Sequence, residues 1–323
     1  MVDGLEQNWN SDCDNDAFIN ALDPDADNNG ITDGTEFGYS SGVLTFPGVT
    51  GTDASATYNN SGRLNFTPDS DPSTRTNPYY WDSDGDGLYD GWYDADGDGV
   101  KDAGETAGED LNADGVIEGD LNKNNRWDAG ETWTETSATD IDSDDDGIND
   151  GYEKITLQSN PLSWDSDGDG LFDSVERGLT SALKDTDITT GHFIPDMDPR
   201  FTTNLILVDS DQDGLNDGDE DKNHNGAFDN GTDETNATYF DTDHDGIMDG
   251  TEVNGFYLTI MGVYKKIVTD PLTNDTDGDG LIDGNEKDGK ISIPGLGNFT
   301  TDPSNIDTDA YRNAPYYIPG TPP

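Results

Sequence analysis

Cysteine is almost missing from this chain. Cys13 is the only one in 323 residues and lies inside Asp12-Cys13-Asp14, so no internal disulfide can staple the fold. Basic residues are scarce as well: 15 Lys and Arg stand against 71 Asp and Glu, a formal net charge of −56. Neutralising phosphates takes clustered Lys and Arg, which excludes nucleic acid as a partner and anionic membrane surfaces with it. Long apolar runs are lacking. The longest aliphatic stretch, Leu205 to Val208, is far shorter than the roughly twenty residues that cross a bilayer, so no membrane insertion is expected. The opening Met1-Val2-Asp3-Gly4 does not have the pattern of a signal peptide. His192, His224 and His244 form neither a triad nor a zinc spacing, and no carboxylate pair stands apart as a glycosidase dyad. The chain does not read as an enzyme.

What it has is one pattern, repeated. Asp275 to Glu286 reads D-T-D-G-D-G-L-I-D-G-N-E: carboxylates at positions 1, 3, 5, 9 and 12, glycine at 6, and a residue at 7 whose carbonyl faces the same centre. A twelve-residue loop of this form supplies the six to eight oxygens that Ca²⁺ takes in a flexible shell. The full pattern occurs seven times. Position 1 is Asp25, Asp94, Asp142, Asp165, Asp209, Asp241 and Asp275; position 3 is Asp27, Asp96, Asp144, Asp167, Asp211, Asp243 and Asp277. Position 5 is Asn29, Asp98, Asp146, Asp169, Asp213, Asp245 and Asp279, and the position 7 carbonyls belong to Ile31, Val100, Ile148, Leu171, Leu215, Ile247 and Leu281. Position 9 is Asp33, Asp102, Asp150, Asp173, Asp217, Asp249 and Asp283; position 12 is Glu36, Glu105, Glu153, Glu176, Glu220, Glu252 and Glu286.

Four further loops lack one element. Asp82, Asp84, Asp86, Leu88 and Asp90 end on Tyr93 where glutamate is due; Asp110, Asn112, Asp114, Val116 and Glu118 end on Leu121. Asp120, Asn122, Asn124, Arg126, Asp128 and Glu131 have Asn125 in place of the glycine, and Asp221, Asn223, Asn225, Ala227 and Asp229 end on Thr232. These are weaker sites, or sites finished by a neighbour. Asp12, Asp14 and Asp16 begin a degenerate loop without glycine. Metal-free Asx turns would explain Asp and Gly but not a glutamate at position 12. A halophile's acidic coat would scatter glutamate, whereas nine of the thirteen glutamates sit where a loop closes.

With 30% hydrophobic residues and 27% charged, composition alone predicts disorder. Eleven divalent ions would cut the charge from −56 to −34, and their binding energy would become folding energy. Calcium loops of low affinity fill near millimolar Ca²⁺, which places the chain outside the cell or on its surface.

The expected fold is mostly irregular and loop-rich: an elongated, calcium-stabilised repeat protein with short helical turns and small β-hairpin insertions. Its parts are N-terminal repeats at 1–36, a β-type insertion at 37–77, tandem repeats at 78–186, and at 187–323 repeats with hairpins and a Pro-rich tail. The insertion is read from Val43-Leu44-Thr45-Phe46 and Arg63-Leu64-Asn65-Phe66 around an Asn59-Asn60-Ser61-Gly62 turn. Hairpins are expected at Phe256 to Val268, around Met261-Gly262, and at Lys287 to Thr301. Asp94, where one loop's end meets the next loop's start, can bridge two metals. The apolar residue at position 7 and the one just before position 1 (Trp81, Ile141, Trp164, Val208 or Phe240) are expected to point inward and bracket the ion. No long flanking helices follow the loops, so a sensor-type opening is not expected.

Thr76-Asn77-Pro78 ahead of Asp82, Ser159-Asn160-Pro161 ahead of Asp165 and Thr269-Asp270-Pro271 ahead of Asp275 complete a unit that resembles the bacterial and archaeal form of the thrombospondin type 3 repeat over about two-thirds of the chain. The resemblance implies elongated, calcium-wrapped stalks or spacers of secreted or surface proteins, with Asp275, Asp277, Asp279, Asp283 and Glu286, and the matching positions elsewhere, as ligands. The cysteines of the animal repeats are missing, and the insertions at 37–77 and 177–208 have no counterpart in the family. Both ends read as parts of a repeat: Asp3 and Glu6 match a loop's last positions, and Asp307 and Asp309 its first. A site shared between copies would give a head-to-tail filament by heterologous contact, with the chain itself as partner. A rigid stalk within a larger adhesin or surface enzyme, and a cell-surface or carbohydrate adhesion module, are the alternatives.

Overall fold

Each helix among the described residues begins at position 9 of a loop. The structure, a computed structural model, describes residues 27, 29, 31, 33–36, 75–91, 108–110, 117–119, 132–229, 231–260, 262–293 and 297–306. The chain divides into two units, Met1–Trp164 with Ser181–Phe193, and Asp165–Thr180 with Ile194–Pro323. The first unit carries α1 (Asp33–Glu36) and α2 (Asp150–Tyr152), the latter running on as a π-turn over Glu153–Leu157. The second carries α3 (Asp173–Glu176), α4 (Asp217–Glu220), α5 (Asp249–Asn254) and α6 (Asp283–Lys287). No helix among the described residues is long and apolar enough to cross a membrane.

One turn is what this sequence can support. Residue 8 stays extended, as in Phe172 (φ −87, ψ 144) and Ile282 (φ −88, ψ 131), and the acidic residue at position 9 suits the positive N-terminal end of the turn. The turn closes when the amide of residue 12 reaches the carbonyl of residue 8, at 3.0 Å for Glu176 to Phe172 and 3.1 Å for Glu286 to Ile282. Residues 9 and 12 then share a face, so the closing glutamate turns back toward positions 1 to 5. Glycine past the end stops α5, where Gly255 has φ 75. The loop itself needs two left-handed residues. Position 6 supplies glycine, as in Gly147 (φ 92), while position 4 is filled by Asp145, Gln212, His224 and His244 at φ 55 to 67. Left-handed conformation costs a non-glycine residue about 1–2 kcal/mol, so the loop is held against its own local preference at these places.

Both hairpins lie in the second unit. β1 (Phe256–Ile260) pairs antiparallel with β2 (Val263–Ile267), Phe256 opposite Ile267 and Ile260 opposite Val263, as the alternation around Met261-Gly262 predicts. Only Ile267 of β2 is buried, and Tyr257 and Tyr264 stack at 4.8 Å on the open surface. β3 (Ile291–Ile293) pairs with β4 (Gly297–Phe299) inside the second expected hairpin. The strands expected at 43–46 and 63–66, and the Pro-rich tail, lie outside the described residues.

Among the described residues, buried carboxylates outnumber buried apolar side chains. Position 7 is buried at Ile31, Leu88, Ile148, Leu171 and Ile247 and half-buried at Leu215 and Leu281. The residue before position 1 differs from loop to loop: Ile141 and Trp164 are half-buried, but Trp81, Val208 and Phe240 are each more than 40% exposed, which corrects the expectation of an inward-pointing group at those three. The reason is that this residue works through its backbone. Its carbonyl accepts the amide of residue 9 (Trp81 from Asp90 at 2.9 Å, Phe240 from Asp249 at 3.1 Å), while Trp81 spends its ring on Tyr89, centroids 4.4 Å apart.

Successive loops meet through position 10. The Gly151 amide donates to Asp86 Oδ2 of the Asp82 loop at 2.7 Å. In the second unit Gly218 donates to Asp169, Gly250 to Asp213 and Gly284 to Asp245, at 2.9, 2.7 and 3.0 Å. The backbones touch so closely that a Cβ on Gly250 or Gly218 would lie 2.5 or 2.6 Å from the carbonyl oxygen of that same aspartate. Gly91 meets the Asn29 carbonyl in the same way, at 2.5 Å. Among the described residues, the loop docked on the Asp82 loop is therefore the one at Asp142. The proposed bridging role of Asp94 lies outside the described residues. Gly250→Ala should lower stability by about 1–3 kcal/mol, the usual cost of overpacking, because the carbonyl it strikes is backbone and cannot swing away. Thermal unfolding of the variant beside Gly246→Ala, which meets no neighbour and reports left-handed strain alone, would separate steric from conformational cost.

Candidate metal centres

Within each loop, the early carboxylates are oriented by backbone amides of the same loop. Asp82 accepts from Gly85 at Oδ1 (2.6 Å) and Gly87 at Oδ2 (3.1 Å); Asp275 accepts from Gly278 and Gly280 at 2.9 Å each. Position 3 takes one amide on Oδ1, from residue 5, as in Asp86 to Asp84 at 3.1 Å and Asp245 to Asp243 at 3.0 Å. Position 5 takes the amide of residue 7, as in Leu171 to Asp169 at 2.7 Å and Ile247 to Asp245 at 2.6 Å. Position 1 thus has both oxygens tethered, whereas position 3 has one tethered and the other buried and unmatched: Oδ2 of Asp84, Asp167, Asp211 and Asp243 has no hydrogen-bond partner.

Position 9 is placed differently. Both of its oxygens are engaged by residue 2, a serine or threonine: Ser210 binds Asp217 through its amide (2.8 Å) and hydroxyl (2.6 Å), and Thr276 binds Asp283 likewise. Ser83 and Ser143 do the same for Asp90 and Asp150. The same hydroxyl accepts an amide from the lead-in segment, Asn204 to Ser210 at 2.8 Å and Asp270 to Thr276 at 2.8 Å. Position 9 is first a clasp that ties lead-in, loop and helical turn together; any ion contact would be in addition.

Position 12 is buried as deeply as position 9. Glu153, Glu220, Glu252 and Glu286 are 0% exposed. The lead-in hydroxyl of the following repeat reaches back to this glutamate: Thr76 to Glu36 (3.0 Å), Ser159 to Glu153 (2.9 Å) and Thr203 to Glu176 (2.9 Å), with Thr235, Thr269 and Thr301 beside Glu220, Glu252 and Glu286. This is the role of the Thr/Ser that opens each lead-in.

The sequence-predicted carboxylates do come together. Asp82, Asp84 and Asp86, then Asp142, Asp144 and Asp146, then Asp165, Asp167 and Asp169 each bring oxygens within 4.8 Å of one another, close enough to hold a metal ion. At position 3, burial and then the neighbouring aspartates push the pKa up, Asp84 to about 8 and Asp211 and Asp243 to about 7. Burial lifts Glu176, Glu220 and Glu252 to about 9. The ion pairs Arg200–Asp198, Lys222–Asp233, Lys265–Asp302 and Lys290–Asp288 fall outside these positions.

The partial loops differ. The Asp221 loop is filled by amides: Asn223 Nδ2 donates to Asp229 (3.0 Å) and to Glu234 (2.6 Å), and Asn225 Nδ2 to Asp229 (3.1 Å). Glu234, two residues past the expected closing position, was not singled out by spacing, and neither was Glu109, whose carboxylate joins Asp86 and Asp150. The Asn29 amide lies 3.4 Å from Asp27, Glu36 and Asp90. Of the other sequence candidates, Asp12, Asp14, Asp16, Asp25, Asp94, Asp96, Asp98, Val100, Asp102, Glu105, Asn112, Asp114, Val116, Asp120, Asn122, Asn124, Arg126, Asp128, Glu131, Asp3, Glu6, Asp307 and Asp309 lie outside the described residues.

No protein-family model matches the chain, and no curated protein or solved structure matches it either. The site stands on its own geometry.

A carboxyl whose folded pKa is raised favours the ion-free fold below its unfolded pKa, and that stabilisation is lost as pH rises toward the folded value. With Glu176, Glu220 and Glu252 raised from 4.5 to about 9, the chelated protein should be more stable at pH 5 than at pH 8. With metal present the order should reverse, because ligands must be deprotonated. Urea midpoints at both pH values, with and without chelator, check the crossing.

Proposed function

We propose that this is an extracellular calcium-binding structural protein, in which ions hold the repeats in place of an apolar core. The observation that carries the reading is the ring of buried carboxylates, with Oδ2 of position 3 unmatched in loop after loop and the closing glutamate buried above it. Like charges at this density are destabilising unless a cation joins them, and a donor set made only of oxygens, seven or so per loop, suits Ca²⁺ over Zn²⁺ or Mg²⁺. The thrombospondin type 3 resemblance supports the same reading, as does the amount of calcium available outside cells.

We further propose that the array continues into another repeat, in a second copy of the chain. The last lead-in described, Thr301-Asp302-Pro303, is set like the others: Thr301 lies beside Glu286, and the Ser304 amide caps onto Asp302 Oδ1 at 3.2 Å. Asp307 and Asp309 follow at the positions where a loop begins.

Exhaustive chelation of the full chain should abolish its near-ultraviolet circular dichroism, and about millimolar Ca²⁺, but not Mg²⁺ at the same concentration, should restore it. A signal unchanged by chelator would overturn the calcium reading. Electron microscopy and sedimentation in millimolar Ca²⁺ should show filaments that dissolve on chelation; monomers under those conditions would leave the calcium-held fold and remove the filament.

A further inference from the structure

The Asp82 loop reaches Tyr93 where its closing glutamate is due, and the structure brings a substitute from far along the chain. Residues 108–110 run beside residues 89–91: the Gly108 amide donates to the Gly91 carbonyl (2.9 Å), Glu109 to Tyr89 (3.0 Å) and Asp110 to Asp90 (2.8 Å). Gly108 permits this approach, since any Cβ there would run into the Tyr89 and Gly91 carbonyl oxygens. The Lys154 ammonium holds the Gly108 carbonyl from the other side at 2.9 Å.

The ladder drives the Glu109 side chain inward. It is 1% exposed, and neither carboxylate oxygen makes a hydrogen bond of ordinary geometry, although the Thr136 hydroxyl lies beside it. Oxygens of Glu109, Asp86 and Asp150 lie within 4.8 Å of one another. Burial, with Asp84, Asp86 and Asp90 after it, pushes its proton affinity well above the ordinary range. A second feature marks its role independently. Thr136 opens the lead-in to the Asp142 loop, and at the six other lead-ins named above the hydroxyl stands against the closing glutamate of an earlier loop, as Thr203 does against Glu176. Glu109 fills that place.

Resting on the calcium reading above, we propose that Glu109 is the closing ligand of a Ca²⁺ site in the Asp82 loop. The ion would be held by Asp82, Asp84, Asp86, the Leu88 carbonyl and Glu109. Because Glu109 and Asp86 also face Asp150 of the next loop, filling this site couples the Asp82 and Asp142 loops. The ion thereby fastens the chain between residues 91 and 108 at both of its ends.

The test counts calcium ions on the full chain by native mass spectrometry, with Ca²⁺ as the only added metal. Glu109→Gln should carry one ion fewer than the parent, as should Glu286→Gln, which removes an ordinary closing residue. Glu109→Asp keeps the charge but withdraws it by one methylene; it should release one ion at least about tenfold faster in stopped-flow chelation, on the scale that even outer-shell ligands command. If Glu109→Gln does not fold, the Asp variant decides alone. A parental count and parental release in the Glu109 variants, with an ion lost from Glu286→Gln, overturns this site and leaves the calcium reading intact. A parent chain that binds no calcium overturns both.

Discussion

The constraint on which the molecule depends is the repulsion among carboxylates that have been taken out of water. Burying one unpaired anion costs several kcal/mol, and here carboxylates are buried in groups. The sequence supplies such a group in loop after loop and gives each the same scaffold, which ties both oxygens at positions 1 and 9 and one at position 3. The scaffold does not cancel the charge. It organises it, and leaves the buried oxygens of position 3 without a partner in the protein.

A hierarchy of loops follows from how each one is completed. The Asp142 loop is covered by the segment 181–193: Thr186 donates to Asp142, Asp187 donates its amide to Asp145 at 2.6 Å, and His192, stacked on Trp164, sits 2.6 Å from the Asp144 carbonyl. Its Asp142, Asp146 and Asp150 are 0% exposed. The Asp221 loop is filled by its own asparagine amides. Loops that look alike in sequence therefore differ in how tightly they are enclosed.

Much of this was legible from spacing alone. Loop starts, glycine turns, the buried residue at position 7 and both hairpins of the second unit follow from the pattern, because each is decided within a dozen residues. What was not legible is what depends on contact between distant segments. Nothing local marks Glu109 as belonging to a loop that begins 27 positions earlier, and nothing in Thr203 or Thr269 says that its hydroxyl answers the preceding repeat. The exposed Trp81 and Phe240 were misjudged because side-chain type suggested a core residue where the backbone carbonyl does the work. The lead-in Thr-Asn-Pro gave the family resemblance its shape, yet its chemical purpose appears only when two repeats lie side by side.

The contact between a position 10 glycine and the position 5 residue of the loop before it has one more implication. The step it makes is the same whether loop starts are 32 residues apart, as for Asp209 and Asp241, or 60, as for Asp82 and Asp142. Geometry and contour length are thus uncoupled. The length of the segment between two such loops therefore does not set the contact that joins them, and a long insertion and a short one are bridged by the same amide.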